Sequence, residues 1–432
     1  MDLDSVLKHS GVILRPDPSR TVIRPFSPED PNGFAVPGRP RARRIIDRIM
    51  SMSDEQLAAD RRLVTDSLDQ RHRDVDDLLM RRFEEVAKDL DIDRDNLTRA
   101  CKLMIGAYFC EEYSFEAAAL FNPSIVPHPD QSGVTEGSVR FLLSLRGIGE
   151  GHVSSVTFRT GTWRPGDLPV IDPSSDTAIP PIIEKSEGEG DDIIVRLHCG
   201  GSRDVSETVL FPMTPSQRQG IEDLRLVHFT EDDGSKRYMG TYTAFSGAAA
   251  RSELLLSDDF RSFEMRPLRG DAAGSKGMAL FPRKVNGRYA MLGRHDNENI
   301  WFIDSDDIGT WNGGRRIIRP EYPWEFVQVG NCGSPIELEE GWLVITHGVG
   351  TVRNYCMGAC LLDLNDPTRV LKRMPFPLIQ PSADFRDGYV PNVVYSCGSL
   401  LQDGMVLLPY GVADDFATFS AITVDDLLAL MV

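Results

Sequence analysis

Residues 279–294 read ALFPRKVNGRYAMLGR, two apolar runs joined by Asn286-Gly287. Asn-Gly in that setting is a hairpin signal, because a two-residue type I′ turn needs positive φ at both central positions. The same unit of strand, glycine turn and strand recurs along the chain. Its copies are SIVPHPDQSGVTEGSVRFLLSLRG from Ser124, LVHFTEDDGSKRYMGTYTAF from Leu226, PIELEEGWLVITHGV from Pro335 and VVYSCGSLLQDGMVLLPYGVAD from Val393. The turn glycines Gly137, Gly234, Gly287, Gly341 and Gly404 stand 97, 53, 54 and 63 residues apart. Five hairpins at about the length of one blade predict a mainly β fold, a five-bladed β-propeller over residues 120–432. The wide first interval holds GHVSSVTFRTG, enough for the outer strands of the first blade, and an insertion around 165–215. A β-sandwich also repeats hairpins, but the regular spacing and the chain length favour the propeller.

The texture differs upstream. Residues 1–40 are rich in Pro, Arg and Asp (GVILRPDPSRTVIRPFSPEDPNG at 11–33) and predict an extended arm, since proline fixes φ and lacks an N–H. Residues 41–119 carry helix formers with apolar residues at three- and four-residue steps, among them Leu63, Leu68, Leu78, Leu79, Phe83 and Val86. Ser53 with Gln56 three residues later fits a capping box. This region therefore predicts an α-helical appendage, a candidate for building a homo-oligomer.

Charge and cysteines narrow the function. The chain has 432 residues, 65 Asp and Glu against 47 Lys and Arg, and a net charge of −18. That balance argues against nucleic acid as a partner, because phosphate backbones need a basic footprint. An anionic substrate would have to be held by a local island of cations. Met1 to Gly11 shows no signal peptide, and no run approaches the roughly 18 apolar residues of a membrane helix. The seven cysteines are an odd set among apolar neighbours, so free thiols and a cytoplasmic location are expected. Cys356 and Cys360 lack the second pair of a zinc site, and no metal is expected.

Common catalytic motifs are absent. GDAAGSKG at 270–277 has the wrong spacing for a phosphate-binding loop, and GIGEG at 147–151 lacks a βαβ setting. There is no G-x-S-x-G and no H-E-x-x-H. What remains is a set of polar residues at strand entrances: Asn122, Asp223 with Arg225, Lys276, Asn331 and Asn392. Singly, such Asn and Asp residues are turn formers. Together, at equivalent strand ends of a propeller, they predict one polar pocket. A basic group accompanies them: Arg251, Arg266, Lys276, Lys284, Arg294 and His295. Surface ion pairing is the default for scattered cations, but Lys276 opens and Arg294-His295 closes the same hairpin, so the two ends could share an anion.

These residues lie in stretches that resemble glycoside hydrolase family 130, the β-mannoside phosphorylases and related β-mannosidases. The matching stretches, in order, are FNPSIVPHPD, RFLLSLRGIGEGHVSS, IEDLRL, LFPRKVNGRYAMLGRH, GSPIELEEGWLVITHGV, GACLLDLNDPTRV and GYVPNVVYSCG. The resemblance implies a five-bladed propeller and names Asp223, after Glu222 and before Arg225, as the catalytic acid. It implies Lys276 and His295 as phosphate-side residues, with Arg251 on an arginine position and Arg294 beside them. It puts Asn122, Arg140, Arg225, Asn392 and Tyr389 near the sugar. Two departures stand out: Asp223-Leu224-Arg225 where the family has D-P-R, and Phe281-Pro282-Arg283-Lys284 where it has F-P-E-K.

The implied reaction is inverting phosphorolysis of a β-mannoside to α-mannose 1-phosphate, a transfer of the glycosyl group to phosphate. Inorganic phosphate is then a co-substrate and no cofactor is needed. Inverting hydrolysis needs a second carboxylate to activate water; Glu298 and Glu253 are the nearest candidates for it. A third reading is a sugar-binding propeller without catalysis. Arg15, Arg20 and Arg24 of the arm are candidates to reach the sugar or phosphate site.

Overall fold

The computed structural model describes residues 3–383 and 388–432. They form two compact units, one of residues up to Pro18, Phe115–Ser175 and Pro181–Val432, the other of Ser19–Ser114 and Asp176–Pro180.

The first unit is mainly β. The hairpin at 279–294 opens a four-stranded antiparallel sheet of Ala279–Leu280, Tyr289–Gly293, Ile300–Ser305 and Arg315–Ile318, in chain order. Asn286 and Gly287 both have positive φ, 51° and 78°, as the type I′ turn requires. A second sheet runs Gln328–Asn331, Gly341–Val349, Tyr355–Leu362 and Val370–Arg373, with Ile336–Leu338 beside its second strand. The largest, of eleven strands, begins with Ala119–Pro127, Val139–Ile148 and Ser154–Trp163. It continues through Gly220–Thr230, Lys236–Phe245, Ala250–Ser257 and Ser262–Pro267. Its last two strands, Ile194–His198 and Ile182–Glu187, come from the insertion.

Strands buried on both faces explain the apolar runs in the sequence. Along Ala250–Ser257, Leu255 joins a core with Phe158 and Leu210, whereas Leu254 and Leu256 join another with Met278 and Met291. The alternation has a period of two because successive side chains leave opposite faces of a strand.

The arm of residues 1–40 does not form one element. Lys8–Leu14 adds to the last sheet, pairing antiparallel with Phe416–Thr423 beyond Met405–Val412 and Val394–Tyr395. Thr21–Pro25 belongs to the other unit, where it pairs with Cys110–Ser114. The helices of that unit are Arg41–Met50, Asp54–Leu68, Val75–Asp89 and Arg99–Tyr108. The capping box forms: Ser53 Oγ accepts from the Gln56 amide at 3.3 Å, and Gln56 Oε1 accepts from the Ser53 amide at 3.0 Å. Phe83, Val86 and Leu57 enter the helical core with Ile46 and Ile105, but Leu63 remains exposed. At Gly106 an added Cβ would lie 2.0 Å from the carbonyl oxygen of Leu79, so only glycine lets these two helices approach. Among the described residues no helix is long and apolar enough to cross a membrane.

Candidate active site

Two strands of the largest sheet break their pairing at the same relative point. The register of Ala119–Pro127 shifts between Phe121 and Ser124, and that of Gly220–Thr230 shifts between Glu222 and Arg225. Inside each shift lies one left-handed residue, Asn122 (φ 48°) and Asp223 (φ 52°). Asn and Asp tolerate that conformation better than other residues with a Cβ, and a bulge of this kind re-aims the side chain. The result is a contact between the two: Asn122 Nδ2 donates to Asp223 Oδ1 at 2.7 Å.

Three arginines order the surroundings. Arg146 meets Glu222 at 2.7 Å and Asp223 at 3.5 Å. Arg225, almost fully buried, donates to the carbonyls of Cys332 at 2.8 Å and Asp223 at 3.1 Å, and to Tyr395 Oη at 2.8 Å. Arg294 touches His347 Nε2 through Nη1 at 3.4 Å. Burial alone would raise the Asp223 pKa. Arg146, Arg225, the Asn122 amide and Lys276 outweigh it and bring the value down to about 2. Asp414 goes the other way, up to about 6. Burial is the main cause, only partly offset by Arg146 and Arg353, and the negative Asp223 and Glu222 add to it.

Beside the acid lies a cation-rich wall. Arg294 is 6% exposed and has no salt bridge among the described residues; its Nε has no hydrogen-bond partner there either. It passes between two glycines: an added Cβ at Gly277 would come within 2.4 Å of its Nε, and one at Gly330 within 3.1 Å of its Cδ. Gly277 follows Lys276 and its carbonyl accepts from Asn331 Nδ2 at 3.0 Å. Asn331 Oδ1 and His347 Nδ1 are buried without a partner among the described residues. Burial, then Arg294 and Arg225, hold the His347 pKa well below its usual range, so the ring is neutral. Buried polar atoms normally find partners, and a buried guanidinium with no salt bridge and an unpartnered Nε–H is a donor that suits an anion.

The structure gathers Asn122, Asp223, Arg225, Lys276, Asn331 and Arg294. It does not gather the rest of the sequence-derived set. Arg140 lies near the start of the strand Val139–Ile148, by Asp130 (4.0 Å) and Asp172 (3.9 Å). Arg146, six residues and about 20 Å further along, is the one that reaches the acid. His295, in the turn after the strand Tyr289–Gly293, packs on Trp301, ring centroids 4.3 Å apart. Its pKa is lowered by burial, against the pull of Asp296 and Asp271. Arg251 points to the other face of its strand from Ser252, which meets the Ser275 carbonyl at 2.8 Å; its Nε binds Glu253 at 3.0 Å. Asn392 contributes its carbonyl to the Tyr355 amide at 2.8 Å. Tyr389 is 75% exposed with its ring 5.7 Å from that of His152. Arg266 and Lys284 are ion-paired, with Glu264 and with Asp232. Of the arm, Arg15 reaches Asp415 at 3.3 Å, and Arg24 pairs with Glu111 inside the helical unit.

Sequence reading missed Arg146, His347, Tyr395 and Asp414. All four lie in stretches already singled out as hairpins or matches: LSLRG, ITHGV, VVYSC and YGVAD. Asp414 carries a stability prediction. Its folded pKa, about 6, exceeds the ordinary 3.8, so folding takes up a proton and stability falls as pH rises from about 4 to about 6. Asp414→Asn removes that slope. Urea midpoints should show the variant more stable than wild type at pH 7.5, by on the order of 2 kcal/mol, with the gap closing near pH 4.

Comparison with known proteins bears on this site. A family model described as beta-1,4-mannooligosaccharide phosphorylase matches residues 202–432. The 1,2-beta-oligomannan phosphorylase of Thermoanaerobacter sp. (strain X514) is 35% identical over 215 residues, which cover 49% of this chain and 70% of that one. The beta-1,2-mannobiose phosphorylase of Listeria innocua is 36% identical over 216 residues, 48% of this chain and 58% of that one. A glycosyl hydrolase structure from Bacteroides ovatus aligns over 72% of this chain and 86% of its own with a TM-score of 0.51 at 19% identity, a likeness of fold.

Proposed function

The chain belongs to glycoside hydrolase family 130, the family of the beta-1,4-mannooligosaccharide phosphorylases, and on that premise we propose that it is a mannoside phosphorylase. It cleaves β-mannosides with inorganic phosphate, inverting the anomeric carbon to give α-mannose 1-phosphate and a shortened acceptor. The observation that carries this reading is a buried carboxylate, Asp223, linked by contacts to Arg294, a buried cation with no salt bridge among the described residues. Arg225 donates to Tyr395, whose ring lies 4.9 Å from that of His347, and His347 meets Arg294.

Neither glutamate considered for hydrolysis is placed to activate water. Glu253 is 2% exposed, and its two oxygens already accept from Ser216, Arg251, Gln217 and Tyr242 at 2.6–3.0 Å. A carboxylate with all its lone pairs engaged has no room for a water proton. Glu298 lies exposed in the turn after Arg294, its amide bound to Asp296.

The sheets are read as five blades, the last completed by Lys8–Leu14. Their innermost strands would be Ala119–Pro127, Gly220–Thr230, Ala279–Leu280, Gln328–Asn331 and Val394–Tyr395. Contacts among these strands and the residues flanking them support the reading: Asn122 to Asp223, Arg225 to Cys332 and Tyr395, Asn331 to Gly277. Phosphate, held by Lys276 and Arg294, attacks the anomeric carbon. Asp223 supplies the proton to the departing oxygen, directly or through a hydroxyl of the mannosyl ring. Arg146 and Asn122 orient it. The free thiols support a cytoplasmic setting, and the exposed Leu63 and Tyr108 make the helical unit the candidate for subunit contact.

The test is an assay with and without phosphate. We expect α-mannose 1-phosphate to appear with phosphate, and turnover to drop at least 100-fold in phosphate-free buffer. Undiminished mannose release without phosphate overturns the reading.

A further inference from the structure

We propose that anion binding at the Lys276–Arg294 wall is coupled to protonation of Asp223, so that the catalytic acid is armed only when the nucleophile is in place. This deepens the phosphorylase reading and rests on it.

A general acid must hold a proton, yet the ligand-free surroundings of Asp223 favour its carboxylate. Arg146 lies 3.5 Å away, the Arg225 guanidinium donates to the carbonyl of Asp223, Asn122 donates to Oδ1, and Lys276 adds its field. The cations that suppress the proton are joined to those that would hold phosphate. Lys276, an exposed side chain, acts on Asp223 through its charge alone, after Arg146, Arg225 and Asn122 in strength. Arg294 connects through His347, Tyr395 and Arg225, a continuous line of buried side chains. A bound dianion adds two negative charges to this group, and each opposite charge within reach moves a carboxyl by about 1–3 pKa units. The anion therefore cancels the positive field, and Asp223 takes a proton from solvent. The coupling is reciprocal, so acid pH should tighten anion binding by the same factor.

The other titratable groups facing Asp223 are the carboxyls of Glu222 and Asp414, Arg353 beyond Asp414, and the buried His347, Tyr395 and Cys397. Asp414 and His347 could also take up a proton when an anion arrives, so the test must tell them from Asp223.

Sulfate is the probe of choice, a dianion that exchanges no proton near neutral pH, with phosphate alongside it at pH 8. Titration calorimetry of the full chain in two buffers of different ionisation heat gives the protons taken up per anion bound. At pH 5.5 wild type should take up on the order of 0.2–0.5 proton with sulfate, more as pH falls. Asp223→Asn should still bind sulfate, with that uptake lost. Zero uptake by wild type overturns the coupling, and so does equal uptake in Asp223→Asn. Uptake lost in Asp414→Asn or His347→Asn but kept in Asp223→Asn assigns the proton elsewhere and overturns it too. If wild type binds neither sulfate nor phosphate, the phosphorylase reading itself falls, and the coupling with it.

Discussion

Asp223→Asn is expected to lower kcat for phosphorolysis by about 10³-fold, within the 10²–10⁴ range of a positioned acid or base. The change is nearly isosteric, so the fold should tolerate it. The new amide oxygen can still accept from Asn122, and Arg146 keeps its 2.7 Å contact with Glu222. What disappears is the proton that can be given to the leaving oxygen. The phosphate KM should respond in the opposite sense to an ordinary damaged site. Removing a negative charge from beside Lys276 and Arg225 strengthens the field that holds an anion, so the phosphate KM should stay level or fall while kcat collapses. Steady-state kinetics with phosphate varied at saturating mannoside reads both numbers. Activity within tenfold of wild type removes Asp223 from the acid role. A loss of kcat with an equally large rise in phosphate KM points to a collapsed site instead.

The reasons some of this site was legible in sequence and some was not are physical. Asn286-Gly287 announced its hairpin because local backbone preference alone decides such a turn. Asn122 and Asp223 stood out as polar residues inside apolar strands, although the two register shifts that aim them at each other depend on partner strands and leave no local mark. Arg140 and Arg146 are six residues apart on one strand and share a face, so alternation cannot rank them. Only the direction in which the strand runs toward the site does that. Arg294 and His295 are adjacent just past the end of the strand Tyr289–Gly293, where no period tells which enters the cluster; the turn packs His295 onto Trp301. His347 sits in GWLVITHGV, where a histidine reads as core filling. It is fully buried, and only the neighbouring guanidinium shows its role. Lys8–Leu14 pairs with Phe416–Thr423, some four hundred positions away. Nothing in a local window records a contact at that distance, so the sequence shows an extended arm without its strand partner.

Arg294→Met should separate stability from function more sharply than any other substitution in this chain. Burying a guanidinium costs several kcal/mol unless a carboxylate or a set of hydrogen bonds offsets it, and apolar replacements of buried charges are often neutral or stabilising by 1–4 kcal/mol. At 6% exposure, with one long contact to a neutral histidine and an unpartnered Nε, Arg294 has little to offset that cost. The methionine stem can follow the same path between Gly277 and Gly330. Without phosphate the variant should therefore melt at the wild-type temperature or above it. With phosphate the order should reverse, because wild type gains RT ln(1 + [L]/Kd) and the variant gains little. A buried charge contact to a ligand is worth about 2–5 kcal/mol, so kcat/KM for phosphate should drop by at least about 30-fold. Thermal melts at zero and saturating phosphate, set beside the phosphate kinetics, check both signs. A variant that melts well below wild type without phosphate would make Arg294 part of the scaffold. A variant with unchanged phosphate KM would leave its buried charge without the use that accounts for its retention, since a cation kept at such a cost to the fold is kept for what it binds.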